Sequence, residues 1–388
     1  MKYRFDKAPD RRGTYSLKWD VKDGELPMWV ADMDFETAPA VVRAIEERAR
    51  HHVYGYNVVP DEWYDAYVSW WRDRHGMDMK REELCFCTGV VPAISCLVKR
   101  FTNIGDKVVV MTPAYDIFFH SVENAGRYVS ENRLAYSDGK YTIDFSDLEK
   151  RLSDPLATLL ILCDPHNPTG NIWTKEELAR IGELCAANGV IVLSDEIHCD
   201  LTDPGFSYVP FASASETCAR ISVTCLSASK AFNIAGLQSA AVFSRNRHLM
   251  DVAVRGLNSD ELAEPNTFAA VAAAAALPGG GEWLDELRAY LAENKSRICA
   301  YTDEHIPGVR AVRSHATYLV WLDVSGITDD PDGLASFIRR ETGLYLSSGT
   351  QYRGGGSFLR MNAACPAKTV DDGLSRLERG IRSYGEKR

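Results

Sequence analysis

Short, continuous apolar runs recur in the middle of the chain. Four of them span residues 108–111, 159–162, 190–193 and 221–224. Apolar runs without polar alternation are typical of strands that are buried on both faces of a sheet. Between the second and third runs, Thr174 and Glu177 form a capping box that predicts a helix start, and Asn188–Gly189 predicts its end. This alternation predicts a parallel sheet covered by helices.

The two flanks of the chain show a different pattern. About the first 40 residues lack a long regular pattern, whereas the alanine-rich run 268–277 predicts a helix that ends at the breaker 278–281. The pattern after it predicts a helix, a strand and a helix, over residues 282–306, 317–322 and 370–384. We therefore expect a large domain over residues 45–280. The N-terminal arm, 1–44, and residues 281–388 would form a smaller domain.

The composition is that of an ordinary globular protein. Of 388 residues, 45% are hydrophobic and 25% are charged. The 54 acidic residues outnumber the 44 basic ones, giving a net charge of −10, which argues against a nucleic-acid partner.

The longest apolar run, 268–277, is shorter than the ~20 residues that a bilayer-spanning helix needs, and the polar residues 1–12 do not resemble a signal peptide. We expect a cytoplasmic protein without membrane contact.

Ten cysteines are spread along the chain in apolar surroundings, and no two of them form a CxxC pair. Cys85 and Cys87 share one face of a predicted strand, but no histidine cluster completes a zinc site. We interpret the cysteines as buried thiols in a reducing compartment and expect no metal site.

Residues with chemical potential follow the predicted strands directly. Tyr115, Asn167, Asp195 and Lys230 come soon after the four apolar runs. Ligands of open α/β sheets bind beyond the carboxyl ends of the strands. An aromatic ring, an amide, a carboxylate and an amine are therefore expected to converge on one crevice.

An anion site is predicted beside this crevice. The strand at Cys85–Cys87 is followed by Gly89, Val90 and Val91, and Pro92 suits the first position of a helix. Free backbone N–H groups at such a helix start bind phosphate without a basic patch. Two further hydroxyl donors are expected from Ser227 and Ser229.

These parts match the needs of pyridoxal 5'-phosphate (PLP). That cofactor requires a lysine for its Schiff base, a carboxylate at its pyridinium nitrogen and donors for its phosphate. We assign Lys230 to the first role and Asp195 to the second. Asn167 would donate to the ring 3-oxygen, and Tyr115 would lie against the ring face.

The sequence resembles the fold-type-I PLP enzymes of the class I/II aminotransferase superfamily over nearly its whole length. The matching features are Asn167–Gly170, Asp195 and Ser227–Lys230. Within that superfamily the chain resembles the MalY/PatB-type cystathionine β-lyases, also called C–S lyases. The features of this branch are the segments 10–14, 31–35, 54–56, 112–116, 194–198 and 229–234. The resemblance implies an aspartate aminotransferase-like fold, with a three-layer α/β/α large domain and a smaller α/β domain.

The resemblance also implies further site residues. Arg360 matches the arginine that grips the substrate α-carboxylate, and Tyr56 of the partner subunit would reach the phosphate, which implies a homodimer with a shared active site. Two positions depart from the aminotransferase pattern: His198 replaces a tyrosine, and Gln238 replaces an arginine that binds the phosphate. His198 is expected either to line the cofactor site or to pack beside it.

The function that follows is β-elimination from L-cystathionine or a related S-substituted L-cysteine, giving a thiol, pyruvate and ammonia. Lys230 would remove the Cα proton, and either Lys230 or Tyr115 would protonate the leaving sulfur. An aminotransferase acting on L-amino acids is the alternative, because it shares every step up to the carbanion. A regulatory binding protein with a degenerate cofactor site is a further alternative, which the intact Lys230, Asp195 and Asn167 disfavour. A nicotinamide dehydrogenase is disfavoured because no GxGxxG follows an early strand.

Overall fold

A computed structural model describes residues 2–386. It contains fifteen strands: β1 (Leu26–Pro27), β2 (Leu84–Cys87), β3 (Lys107–Thr112), β4 (Tyr128–Arg133), β5 (Ala135–Ser137), β6 (Lys140–Thr142), β7 (Ala157–Cys163), β8 (Ile191–Asp195), β9 (Ser222–Leu226), β10 (Ala240–Phe243), β11 (Arg310–Ala311), β12 (Leu319–Asp323), β13 (Leu344–Tyr345), β14 (Ser347–Ser348) and β15 (Phe358–Asn362).

The α-helices of the described residues connect and cover these strands. They are α1 (Pro39–Ala49), α2 (Asp61–His75), α3 (Val90–Phe101), α4 (Asp116–Glu123), α5 (Phe145–Leu152), α6 (Lys175–Ala187), α7 (Phe211–Ala214), α8 (Glu216–Ile221), α9 (Arg247–Ser259), α10 (Ala269–Gly279), α11 (Gly281–His305), α12 (Pro331–Thr342) and α13 (Ala367–Glu386). None of them is long and apolar enough to cross a bilayer.

The central sheet has seven strands in the order β2-β10-β9-β8-β7-β3-β4. The strands from β9 to β4 run parallel to one another, and β10 is antiparallel to both of its neighbours. Val108 and Val110 of β3 belong to one apolar layer, and Val109 belongs to the other. Because side chains alternate between faces that are both buried, residues 108–111 of the strand are all apolar. The α/β class with a mainly parallel, helix-covered sheet is confirmed.

A second sheet lies in the C-terminal part of the chain. Its four antiparallel strands follow the order β11-β12-β15-β14, and α11, α12 and α13 contribute to the same apolar cluster. The N-terminal strand β1 pairs in parallel with β13, so the beginning of the chain joins this part. The division of the chain at residues 45 and 280 stays a prediction.

One detail of the predicted helix start is wrong. Pro92 is the third residue of α3 rather than the first, and Gly89 is the N-cap. The first-turn N–H groups of any helix lack intrahelical partners, so proline fits anywhere in that turn. The expected anion site is unaffected by this shift. Val90 and Val91 are the first two residues of α3, and their N–H groups remain available.

A buried ion pair anchors the N-terminal arm. The Lys18 amine lies 2.8 Å from the Asp34 carboxylate, and both side chains are almost fully buried. The indole of Trp19 donates to the same carboxylate at 2.8 Å, and the Asp34 N–H donates to the carbonyl of Ala364. The arm is thereby fixed to the loop that follows β15.

Removing one partner of this pair tests the anchor. We expect Asp34→Asn to lower the free energy of unfolding by about 3–5 kcal/mol, because it leaves the Lys18 charge buried without a counter-charge. Urea unfolding followed by circular dichroism measures the change. The matched control is Asp251→Asn, which breaks an exposed pair with Arg247 and should change the free energy by no more than ~0.5 kcal/mol. Equal effects of the two substitutions would contradict the anchoring role.

Candidate active site

A cavity of about 250 Å³ opens at the carboxyl ends of β7, β8 and β9 and at the start of α3. Most of the residues predicted for the site line this one cavity. They are Gly89, Val90, Val91, Tyr115, Asn167, Asp195, His198, Ser229 and Lys230. The parallel strands therefore bring together residues that lie up to 141 positions apart in the sequence, from Gly89 to Lys230.

Ser227 departs from the expected arrangement. Its hydroxyl donates to the Ser239 carbonyl at 2.7 Å and accepts the Ser229 N–H at 3.0 Å. The single hydroxyl proton is thus already used, and Ser227 is not among the residues that line the cavity. Its geometry fixes the turn before Lys230, whereas Ser229 lines the cavity.

Lys230 lies at the floor of the cavity. Its Nζ donates to the Ala31 carbonyl at 2.6 Å. Burial, together with the nearby Arg360 charge, lowers the pKa of the Lys230 amine to about 8, against the opposing charges of Asp32 and Asp195. An appreciable fraction of this amine is therefore unprotonated near neutral pH, as a general base requires.

Asp195 ends β8 and is buried without a cationic partner among the described residues. Its Oδ1 accepts the Ile197 N–H at 3.1 Å. Burial raises the pKa of the Asp195 carboxyl to about 7, and the neighbouring Glu196 adds to the rise. A ligand that brings a positively charged N–H to this carboxylate would relieve the cost of its burial.

Two aromatic side chains in the cavity wall keep definite protonation states. Burial raises the pKa of the Tyr115 hydroxyl to about 12, so the hydroxyl stays protonated and can donate. Burial lowers the pKa of His198 to about 3, so its ring stays neutral. The Nδ1 atom of His198 is buried and has no hydrogen-bond partner. A ligand atom in the cavity would supply the missing partner.

Arg360 lies directly behind Asn167. Its Nη1 donates to Asn167 Oδ1 at 3.1 Å, and its Nη2 donates to the Trp29 carbonyl at 2.8 Å. The side chain is only 5% exposed, its Nε atom lacks a hydrogen-bond partner, and no carboxylate of the described residues pairs with it. A buried, uncompensated guanidinium is a binding site for an anion, and its planar fork suits a carboxylate.

Tyr56 does not reach the cavity of its own chain. Its side chain is fully exposed, in an irregular segment, 53–58, that also exposes Val53, Tyr54 and Val58. In the single chain, this predicted phosphate ligand is therefore exposed and does not line the cavity.

The end of the cavity beside α3 carries mainly neutral donors. Thr88 precedes α3 there, beside the free N–H groups of Val90 and Val91, and Gln238 is a further neutral lining residue. Lys230 is the only cation among the lining residues. Thr88 was not among the residues predicted for the site, although a hydroxyl residue directly before Gly89 was a usable signal. The backbone carbonyl of Ala31 was not predicted either, because a carbonyl leaves no side-chain signal.

The residues present fit PLP. The unpaired Asp195 carboxylate suits a pyridinium N–H, the free N–H groups of Val90 and Val91 suit a phosphate, and the Lys230 amine suits an aldehyde. The orphaned Nδ1 of His198 and Nε of Arg360 are further polar atoms that await partners.

A second polar cluster lies outside this cavity. Ligand atoms of His75, Cys199 and Asp200 lie within 4.8 Å of one another. The His75 ring and the Trp70 indole both hydrogen-bond to the same Asp200 oxygen, at 2.8 and 2.9 Å. The cluster is thus held by hydrogen bonds within the protein.

Comparisons with known proteins agree with this geometry. A family model described as aminotransferase class I and II matches residues 26–377. The chain therefore belongs to the class I and II aminotransferase family. Within this family it is 44% identical over 385 residues to cystathionine beta-lyase PatB of Bacillus subtilis, which covers 97% of this chain and 99% of that protein.

Two further proteins are similar over almost their whole length. Protein MalY of Escherichia coli is 31% identical over 390 residues, covering 98% of this chain and 99% of that protein. The crystal structure of a PLP-bound C–S lyase from Staphylococcus hominis superposes with a TM-score of 0.92 at 33% identity, covering 98% of each chain. The predicted membership of the MalY/PatB branch is confirmed.

The burial of Asp195 gives a pH-dependent prediction for the cofactor-free protein. The pKa of this carboxyl in the folded chain, about 7, lies above its ordinary value of 3.8. The folded state therefore holds its proton more tightly than the unfolded state, and stability is lost as the pH rises from about 4 to about 7. We expect cofactor-free Asp195→Asn to melt above the wild type, with an advantage that grows over this pH window and is constant above it.

Differential scanning calorimetry from pH 4 to pH 8.5 measures that advantage. The matched control is Asp329→Asn, which changes an exposed carboxyl and should show no pH-dependent difference. An Asp195→Asn advantage that does not vary with pH would show that the carboxyl titrates normally.

Proposed function

We propose that this chain is a PLP-dependent C–S β-lyase that cleaves L-cystathionine or a related S-substituted L-cysteine to a thiol, pyruvate and ammonia. The observation that carries the proposal is the convergence of Lys230, Asp195 and Asn167 on one cavity, with the unpaired Arg360 behind it. The similarity to PatB, a cystathionine beta-lyase at 44% identity, supports the same reaction.

Six groups would hold the cofactor. Asp195 would bind the ring nitrogen, Asn167 the ring 3-oxygen and Lys230 the aldehyde carbon, while the N–H groups of Val90 and Val91 and the hydroxyl of Ser229 would bind the phosphate. Gly89 lets the chain enter α3 beside the phosphate, and the Tyr115 ring and His198 complete the wall. When bound, PLP supplies the electron sink that makes the substrate Cα–H bond acidic.

Lys230 would act as the general base. Once the substrate amine has displaced it, its Nζ is free to accept the Cα proton, and the lowered pKa keeps part of the amine unprotonated. The Cα electron pair then forms the Cα–Cβ double bond as the Cβ–S bond breaks. Water converts the three-carbon remainder to pyruvate and ammonia.

Arg360 would bind the substrate α-carboxylate. The carboxylate would supply the acceptor that Nε lacks and neutralise the buried guanidinium charge. Arg360 would thereby fix the substrate beside Lys230, since it is hydrogen-bonded to Asn167, which lines the same cavity as Lys230.

Two groups are placed to protonate the leaving sulfur. Tyr115 keeps its proton because its pKa is about 12, and Lys230 carries the proton taken from Cα. Either transfer balances the reaction, since one proton leaves Cα and one reaches the thiolate.

Product formation without an acceptor distinguishes the lyase from an aminotransferase. We expect purified holoenzyme to release pyruvate and homocysteine from L-cystathionine with no keto acid present. L-Alanine should give at most slow α-proton exchange or transamination, because a methyl group cannot leave from Cβ. Lys230→Ala should lower the elimination rate by about 10²–10⁴-fold, as for the loss of a general base. Coupled lactate dehydrogenase and thiol assays follow both products.

The aminotransferase is the outcome that would replace this proposal. It would be indicated by turnover of alanine or aspartate with a keto acid far faster than elimination of cystathionine. Borohydride reduction followed by peptide mapping locates the lysine that carries the cofactor, and a label on any lysine other than Lys230 would also contradict the proposal.

We further propose a homodimer in which Tyr56 of the partner subunit reaches the phosphate. The complete exposure of Tyr56 and its apolar neighbours in segment 53–58 supports a contact with a second chain. We also propose that the enzyme works in the reducing cytoplasm, because its ten cysteines are free thiols.

Subunit mixing tests the shared site. If Tyr56→Phe and Lys230→Ala are each inactive, a mixture should recover about a quarter of wild-type activity, because half of randomly paired dimers are hybrids with one intact site. The control mixes Lys230→Ala with Arg360→Gln. Lys230 and Arg360 serve the cavity of one chain, so these hybrids contain no intact site. Equal recovery in both mixtures, or none in the first despite verified subunit exchange, would contradict the shared site.

A further inference from the structure

The irregular segment from Trp29 to Met33, here named the strap, passes beside the cavity. Its backbone carbonyls accept hydrogen bonds from side chains rather than from a neighbouring strand. The donors are Arg360 and Ser347 to Trp29, Asn362 to Val30, Lys230 and Tyr318 to Ala31, Asn362 and Lys18 to Asp32, and Asn233 and Arg11 to Met33. Side chains from distant parts of the chain therefore fix the position of every strap carbonyl.

A charge network, defined as Arg11, Lys18, Asp32 and Asp34, holds the outer side of the strap. Arg11 binds Asp32 through two bonds of 2.9 and 2.8 Å and reaches Asp34 Oδ1 at 3.1 Å. Lys18 pairs with Asp34 Oδ2 at 2.8 Å. Arg11 is thus the one side chain of the network that binds both acidic groups and the Met33 carbonyl.

The inner side of the strap touches the active-site lysine. Ala31 directly precedes Asp32, and its carbonyl accepts Lys230 Nζ at 2.6 Å and the Tyr318 hydroxyl at 3.0 Å. In the proposed reaction, Lys230 acts as a base when its amine is free. Ala31, which holds the Lys230 amine, is therefore directly adjacent to Asp32, which the charge network holds.

We propose that Arg11 and Asp32 are positioning residues for Lys230: they fix the strap so that the Ala31 carbonyl holds the Lys230 amine in place whenever the amine is free. This inference rests on the proposed function, in which Lys230 is the base. It assigns a role to the segments 10–14 and 31–35, which the reaction itself does not use.

The charge network acts on Lys230 through its charges as well as through the geometry of the strap. The groups that face the Lys230 amine are Asp32 from the strap, Asp195 from the end of β8, Arg360 from β15, the neutral His198 and the hydroxyls of Tyr115 and Tyr318. Arg11 neutralises Asp32, so losing the guanidinium strengthens the negative field at Lys230 and raises its pKa. Losing the Asp32 charge lowers that pKa.

Two substitutions with opposite electrostatic effects test the inference. In holoenzyme, Arg11→Gln should lower kcat for α-proton exchange of L-alanine in D2O by about 10- to 100-fold, with KM changed less than about twofold, because the base is misplaced and the substrate contacts remain. The acidic limb of its pH profile should move to higher pH. Asp32→Asn should move the same limb to lower pH. Arg11→Lys keeps the positive charge but loses the bidentate guanidinium. It should restore the wild-type position of the acidic limb but only part of kcat.

A second readout does not require turnover. Trace acetylation of the cofactor-free chain with labelled acetic anhydride, quantified by mass spectrometry of the Lys230 peptide, gives the apparent pKa of the amine. We expect this pKa to rise in Arg11→Gln and to fall in Asp32→Asn. The matched control is Arg12→Gln, which removes the same charge from the adjacent residue but has no contact with the strap.

The outcomes separate the two proposals. Opposite pKa shifts in the two variants, with Arg12→Gln unchanged, support the positioning role. The positioning role would be overturned if Arg11→Gln and Arg12→Gln had the same Lys230 pKa and the same kcat. It would also be overturned if Arg11→Gln lost thermal stability and cofactor without any shift of the Lys230 pKa. A wild type that neither exchanges the α-proton nor eliminates would instead refute the proposed function, whatever the acetylation shows.

Discussion

The parallel alignment of β7, β8 and β9 is the constraint on which the site depends. Strands that point the same way end at the same edge, so Asn167, Asp195 and Lys230 reach one cavity although helices separate them in the sequence. An antiparallel sheet would have sent alternate strand ends to opposite edges. The apolar layers on both faces of the sheet stabilise this alignment, and they also exclude water from the cavity floor.

Exclusion of water gives the site residues their unusual protonation states. The same burial raises the pKa of Asp195 and lowers that of Lys230, moving both toward neutral pH from opposite sides. Arg360 lies behind Asn167, a residue that lines the same cavity, and has no counter-charge among the described residues. The folded chain thus keeps groups that cost stability in isolation, and a ligand with a cationic nitrogen, a phosphate and a carboxylate would satisfy them together.

The sequence was sufficient to predict the strands and helices that depend on local patterns of apolar and capping residues. Continuous apolar runs identified β3, β7 and β8 because both faces of each strand are buried, and the capping box at Thr174 located α6. The predicted run 221–224 also overlaps β9, although Ser222 and Thr224 interrupt it. Features that depend on tertiary contacts were not accessible. The Ser227 hydroxyl binds the Ser239 carbonyl, and the Ala31 carbonyl meets Lys230, only because separate segments meet in the fold. The position of Pro92 within the first turn of α3 was ambiguous because proline fits any of its first positions.

The scarcity of cations at the α3 end of the cavity has a consequence for the surroundings in which the enzyme works. Mobile ions weaken attraction between exposed charges over distances of about 8–10 Å, but they scarcely weaken a hydrogen bond made at contact distance in a buried site. If the N–H groups of Val90 and Val91 and neutral side chains hold the phosphate, as proposed, its retention would be insensitive to ionic strength. The cofactor would stay bound through changes of cellular salt that loosen binding at an exposed cluster of lysines and arginines.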